Sequence, residues 1–167
     1  MIILKKALAL LFIIFILAGC GTAKQVTSTL DGISFDADIE YGDYECECFV
    51  KAYGGGLFNC TVNEPKSIAG TTVEYNGSAL TVTYMGITYT PQSPFPCENI
   101  SDILNSIMTK AAAADAAEKR GEEYIVEGKS GKYDYTITVT DAGLPIRLKC
   151  EEADLTVDFS NVTILKK

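Results

Sequence analysis

The feature that most constrains this chain is a hydrophobic period of two. From Ile33 onward, Ile33, Phe35, Ala37, Ile39 and Tyr41 are interleaved with Ser34, Asp36, Asp38 and Glu40. Successive side chains of a strand point to opposite faces, so this segment is a strand with one dry and one wet face. Gly42-Asp43 turns the chain, and Tyr44, Cys46, Cys48, Val50 and Ala52 repeat the pattern up to Gly54-Gly55-Gly56. Phe58, Cys60 and Val62 continue it, with Val50 falling opposite Cys60 across the glycine turn. Val73 and Tyr75 follow, then an Asn76-Gly77 hairpin signal, then Leu80, Val82 and Tyr84, and a short piece after Gly86 from Ile87 to Thr90.

The period changes only once. After Pro91, Pro94 and Pro96, the residues Ile100, Ile103, Leu104, Ile107, Met108 and Ala111 recur at spacings of three and four. That is one apolar stripe on a helix. The spacing predicts a helix from about Ile100 to Lys119, capped by Asn99 and closed by Lys119-Arg120 before Gly121. Alternation then resumes through Tyr124 and Val126, through Tyr133, Tyr135, Ile137 and Val139, and through Ile146, Leu148 and Cys150. It ends with Leu155, Val157 and Phe159, after which Ser160-Asn161 shifts the phase before Val162 and Ile164.

About ten short strands joined by tight turns make an antiparallel meander. One helix is too narrow to cover the apolar face of so many strands, so the sheet must curl over the helix and over itself. The expected fold is α+β: a strongly curved antiparallel half-barrel with one amphipathic helix in its concave face. With 167 residues, the chain suits one ordinary domain with a real core.

The N-terminus carries an address. Lys5 and Lys6 precede an uncharged apolar run, Ala7 to Ala18. That run falls short of the ~20 residues a bilayer span needs, and it reads as a signal-peptide core. It ends in Leu17-Ala18-Gly19-Cys20, which resembles the lipobox of bacterial lipoproteins. The resemblance implies that the Cys20 thiol takes a diacylglycerol and becomes the first residue of the mature chain. The expected organisation is therefore a signal peptide over 1–19, a lipidated Cys20 and tether over 20–31, and a folded domain over 32–167. The expected location is the extracytoplasmic face of the cell membrane, held there by lipid. Net charge is −8, and removing 1–19 takes away two lysines and no acid. Such a body is repelled by an anionic surface, so the lipid alone would anchor it. The same balance gives no basic stripe for nucleic acid.

A lipobox followed by a six-strand meander, a helix and a four-strand meander resembles the LolA-like lipoprotein fold. Asp141-Ala142-Gly143-Leu144-Pro145-Ile146-Arg147-Leu148 is similar to the turn before a late strand in that family, and Val157 to Val162 resembles its last strand. The resemblance implies an acyl chain or a lipidated protein partner held in the concave apolar face. No Arg points into that face here, since Arg147 alternates outward with Lys149.

Catalytic chemistry has little to build on. The chain has no His, which removes Ser-His-Asp triads, Cys-His dyads and His-ligated metals. There is no Gly-x-Ser-x-Gly, no phosphate-binding glycine loop, and no spacing that converges two carboxylates. Asp36, Asp38 and Glu40 share one wet strand face, and no cation loop is assigned to them. Beyond Cys20, the odd set Cys46, Cys48, Cys60, Cys97 and Cys150 reads chiefly as small, buried thiols. One disulfide, or a thiolate site using Cys46, Cys48 and Cys60, remain alternatives. No enzyme activity, cofactor or metal is assigned.

The expected function is non-catalytic: binding a hydrophobic ligand or lipidated partner in the concave face. The residues expected to line that cavity are Phe35, Tyr44, Tyr84, Tyr135 and Phe159 from the strands, with Ile103, Ile107 and Met108 from the helix. The alternative is a structural or interaction lipoprotein, its half-barrel filled by its own side chains, that works through its outer surface.

Overall fold

The structure, a computed structural model, describes residues 32–54, 57–77, 79–90, 103–104, 106–111 and 117–165. The leader, Cys20 and the tether lie outside the described residues, as do the Pro91 to Pro96 segment, Cys97 and the Asn99 cap.

Among the described residues, eleven strands form one open, curved sheet. They are β1 (Ile33–Tyr41), β2 (Tyr44–Gly54), β3 (Leu57–Glu64), β4 (Thr72–Tyr75), β5 (Leu80–Tyr84), β6 (Ile87–Tyr89), β7 (Glu118–Arg120), β8 (Glu123–Ser130), β9 (Tyr133–Val139), β10 (Pro145–Cys150) and β11 (Leu155–Ile164). Residues 103–104 and 106–111 are helical and constitute α1. The strand order is β6-β5-β4-β3-β2-β1-β11-β10-β9-β8-β7, with antiparallel neighbours throughout. The chain runs outward through β1 to β6, then returns inward through β7 to β11. Its first and last strands meet in the middle of the sheet.

The pairing follows the alternation. Phe35 lies opposite Val50, Val50 opposite Cys60, and Cys60 opposite Val73. On the other side, Ala37 meets Phe159, Val157 meets Leu148, and Leu148 meets Ile137. The phase shift at Ser160-Asn161 is a bulge: Ser34 pairs with Thr163 but Asp36 with Ser160. Asn161 sits there at φ 51°, and its side-chain amide donates to Asp36 at 2.7 Å.

The eleven strands accord with the expected half-barrel of about ten. One expectation is corrected: helix does not continue to Lys119. Ala117 is already in a bridge, and Glu118–Arg120 form β7, turning back into β8. The cause is Gly121, at φ 69°. A helix C-terminus and a tight hairpin both need a residue in this left-handed region. In the sequence the apolar stripe of large side chains stops before Ala111, and only alanines and Asp115 follow before Glu118.

On the described helical residues the stripe is where its period places it. Ile103, Ile107, Met108 and Ala111 are buried, while Ser106, Thr109 and Lys110 are exposed. The stripe joins one core with β1, β2, β8, β9, β10 and β11, reaching Val62 of β3. Phe35 and Phe159 meet edge to face in that core, with centroids 5.0 Å apart. A polar pin adds to the packing: the Ser106 and Ser130 hydroxyls, from α1 and β8, hydrogen-bond to each other. Among the described residues, no helix is long and apolar enough to cross a membrane.

Candidate binding face

The concave face is apolar from β6 to β8 and gives way to Lys119 on the β7 edge, but its cover is not uniform. Under α1 it is closed: Ile107, Ile137, Val126 and Val157 are 0% exposed. No residue of β4, β5 or β6 belongs to the main core cluster. On that arm Val73 and Leu80 are buried, Tyr75 and Val82 are half-buried, and Tyr84 and Ile87 are 37% and 74% exposed. Tyr89, opposite Val82, is also exposed. The face therefore opens progressively from the helix toward β6.

The local structure of the arm explains the display. Met85 and Gly86 both adopt positive φ, 49° and 81°. That is the geometry of a two-residue type I′ hairpin loop, which sets Tyr84 opposite Ile87. Met85 is 83% exposed at the tip. Phe58 and Tyr75 stack at 5.8 Å where the arm joins β3. The Tyr84 hydroxyl donates to the Ser67 carbonyl at 2.9 Å, tying the arm to the β3–β4 loop. The opposite face of the arm is a threonine surface, with the Thr83 and Thr88 hydroxyls 3.1 Å apart. Glu74, accepting from the Asn59 amide at 2.7 Å, is the only charged residue in β4 to β6.

The eight expected lining residues fall into two groups. Phe35, Ile103, Ile107, Met108, Tyr135 and Phe159 are buried in the packed interior. Burial pushes the Tyr135 phenol above its ordinary pKa, and the ring lies across Gly128, which has no room for a Cβ. Tyr84 is on the open arm. Tyr44 has the right strand parity, but it is the first residue of β2, beyond the reach of the core, and is 74% exposed. The structure thus brings six together as core and leaves two outside it. Sequence reasoning missed Met85, Ile87 and Tyr89. The signal was present: from Tyr75 to Cys97 the chain carries no charged residue, although its net charge is −8.

Two cavities open elsewhere. One, of about 520 Å³, is bordered by Glu127, Asp134, Lys149 and Glu152, with Tyr135 at its wall. The other, of about 330 Å³, is bordered by Asp38, Glu40, Glu45, Glu47 and Glu64. Neither is built from the aromatic residues of the open arm. Asp38 stands opposite Glu47 and Glu40 opposite Glu45, an arrangement of like charges that strand pairing disfavours. On the same outer surface Arg147 grips Asp158 with two hydrogen bonds, one of 2.7 Å, which confirms its outward direction. That contact, foremost, holds the Asp158 carboxyl below its usual pKa.

The described cysteines are thiols. Cys46, Cys60 and Cys150 are free, and Cys48 donates a hydrogen bond to Cys46 across 3.7 Å. This contact, with burial second, drives the Cys46 pKa far up. Cys150 is buried and its thiol is likewise raised, chiefly by desolvation.

The fold and the face together define a class: an open antiparallel half-barrel whose concave surface is partly roofed by a helix. No family model matches the chain. No curated protein matches it either. Solved structures with similar architecture include an uncharacterized conserved protein from Thermus thermophilus, at 11% identity and a TM-score of 0.49, covering 86% of this chain and 85% of that one. A LolA superfamily protein from Nitrosomonas europaea matches at 13% identity and a TM-score of 0.44, covering 89% and 95%. A DUF1329 family protein from Desulfovibrio piger matches at 14% identity and a TM-score of 0.42, covering 84% and 88%. At these identities and scores none of them assigns this chain a function.

Proposed function

We propose that this protein is a non-catalytic binding module that takes an apolar ligand, an acyl chain or a lipidated partner, on the open arm of its concave face. The observation that carries this reading is the uncovered apolar surface of β5 and β6, where Tyr84 and Ile87 continue the parity of the buried core. Contiguous exposed apolar surface on a folded body marks an interaction site more often than chance. In this reading the ligand lies beyond α1 rather than beneath it, because the space beneath is filled by the chain's own side chains. The Cys20 lipid would hold the module at the extracytoplasmic face of the membrane.

A second reading, a self-filled lipoprotein acting through its outer surface, is favoured by the complete burial of Ile107 and its neighbours. One experiment separates the two. Ile87 and Thr88 are adjacent on β6 and face opposite ways, both exposed. An environment-sensitive apolar dye is expected to bind the body at micromolar concentration, and Ile87→Asp is expected to weaken it at least about tenfold, while Thr88→Asp leaves it unchanged. Equal effects from both substitutions, or no dye binding by the parent, would favour the second reading. Lipidation is tested separately: Cys20→Ala should yield an uncleaved or released product, and unchanged fractionation would refute the anchor.

A further inference from the structure

The concave face of β2 carries a pair of sulfurs that the binding reading does not use. Cys46 and Cys48 are two residues apart on one strand, so alternation puts both thiols on the same side, and their Sγ atoms are 3.7 Å apart. Cys48 is buried, whereas Cys46 is partly open to solvent and borders the cavity ringed by Glu40, Glu45, Glu47 and Glu64. Lys66 is ion-paired with Glu64 of that ring. By the same alternation the Glu40, Glu45 and Glu47 carboxylates stand on the opposite face of the sheet from the two sulfurs, so the sulfurs alone decide which cation is held.

We propose that Cys46 and Cys48 form a two-thiolate site for Cu(I). Thiolates are soft ligands that select Cu(I), zinc and iron–sulfur centres. Among the described residues no three Cys, Asp or Glu side chains converge for a metal, and the chain has no His. Zinc in a structural site completes a tetrahedron of protein ligands, which this site does not offer. Cu(I) is satisfied by two soft donors, and a modest rotation of the partly exposed Cys46 side chain brings both sulfurs onto one ion. Two S–Cu bonds form and two thiol protons leave to solvent, with no change in oxidation state. Cys60 is on the adjacent strand but pairs with Val50, two residues along from Cys48, and Cys150 is enclosed in the core. Neither completes the pair.

The test is a competition between the full chain, kept reduced under nitrogen, and the chromophoric Cu(I) chelator bathocuproine disulfonate. The parent should withdraw Cu(I), with affinity rising about a hundredfold per pH unit as expected when two protons are displaced. Cys46→Ser should lose at least about 100-fold, the upper end of what even outer-sphere partners cost. Cys46→Met, which keeps a soft donor, should recover part of that loss. Far-ultraviolet circular dichroism reports whether each variant folds, and Cys46→Ala serves as a second variant at this tolerant position. Cys60→Ser and Cys150→Ser should bind as the parent does. The proposal is overturned if the parent takes no Cu(I), if folded Cys46→Ser and Cys46→Ala bind undiminished, or if Cys60→Ser loses as much as they do.

Discussion

Strands β8 to β11 and strands β4 to β6 are built on the same alternation, yet one set makes a dry core and the other an open surface. Leu148, Ile137 and Val126 are 0% exposed because α1 lies over them. Val82, Tyr84 and Ile87 have the same parity and similar bulk, but no described helical residue joins them in a cluster. Period two decides which face of a strand is apolar. It does not decide whether anything covers that face, because cover depends on where a distant helix lands. The two regions also differ in charge. The outer surface of the covered half is laced with ion pairs such as Arg147–Asp158 and Lys129–Asp134, whereas the arm carries Glu74 alone.

This contrast makes quantitative demands. Ile107→Asp places an unpaired charge at the centre of the covered half and should cost ~5 kcal/mol in urea unfolding, enough to unfold many domains of this size. An unchanged unfolding midpoint would mean that α1 does not dock as described. Leucine truncations probe packing directly. Leu148→Ala, in the covered half, should cost about 4 kcal/mol and Leu80→Ala, on the arm, about 2 kcal/mol, since the cost scales with the cavity the surroundings cannot refill. Equal values would erase the distinction between the regions. Ile87→Asp should alter stability by no more than about 0.5 kcal/mol, as at ordinary surface positions, and a larger loss would show that the arm is core.

The smallest effect is electrostatic. The Asp158 carboxyl is depressed by Arg147, so its contribution to stability is present above the unfolded value of about 3.9 and is lost as pH falls through the folded value. Asp158→Asn should therefore lower the urea midpoint slightly at neutral pH, with the gap closing as pH falls through the depressed folded value. A gap that persists in acid would assign the effect to packing.

The strands are legible in the sequence because each of their residues reports its own face. Even the bulge at Ser160-Asn161 is visible as a break in phase. The helix is legible only in its stripe. Ala111 to Ala117 carries no facing information, and Gly121 serves a helix end and a hairpin equally well, so β7 is hidden. Among the lining residues, parity groups Phe35, Tyr135 and Phe159 on one face. It has no means to separate them from Tyr44, which differs only in standing at a strand's first position. The open arm is written in what the sequence lacks, a run without charge, rather than in any motif.

The seam between β1 and β11 has a consequence for how the molecule comes into being. Its register joins Ile33 to Ile164, nearly the two ends of the described chain. Every other neighbouring pair is made of strands consecutive in the chain. Each wing can therefore zip locally, but the contact that unites them spans almost the whole polypeptide, and closing such a loop is entropically slow. A nascent chain lacking its last strand would hold two half-sheets with unsatisfied central edges. Completion must wait until the final strand is available, so the last residues made decide when the two wings become one sheet.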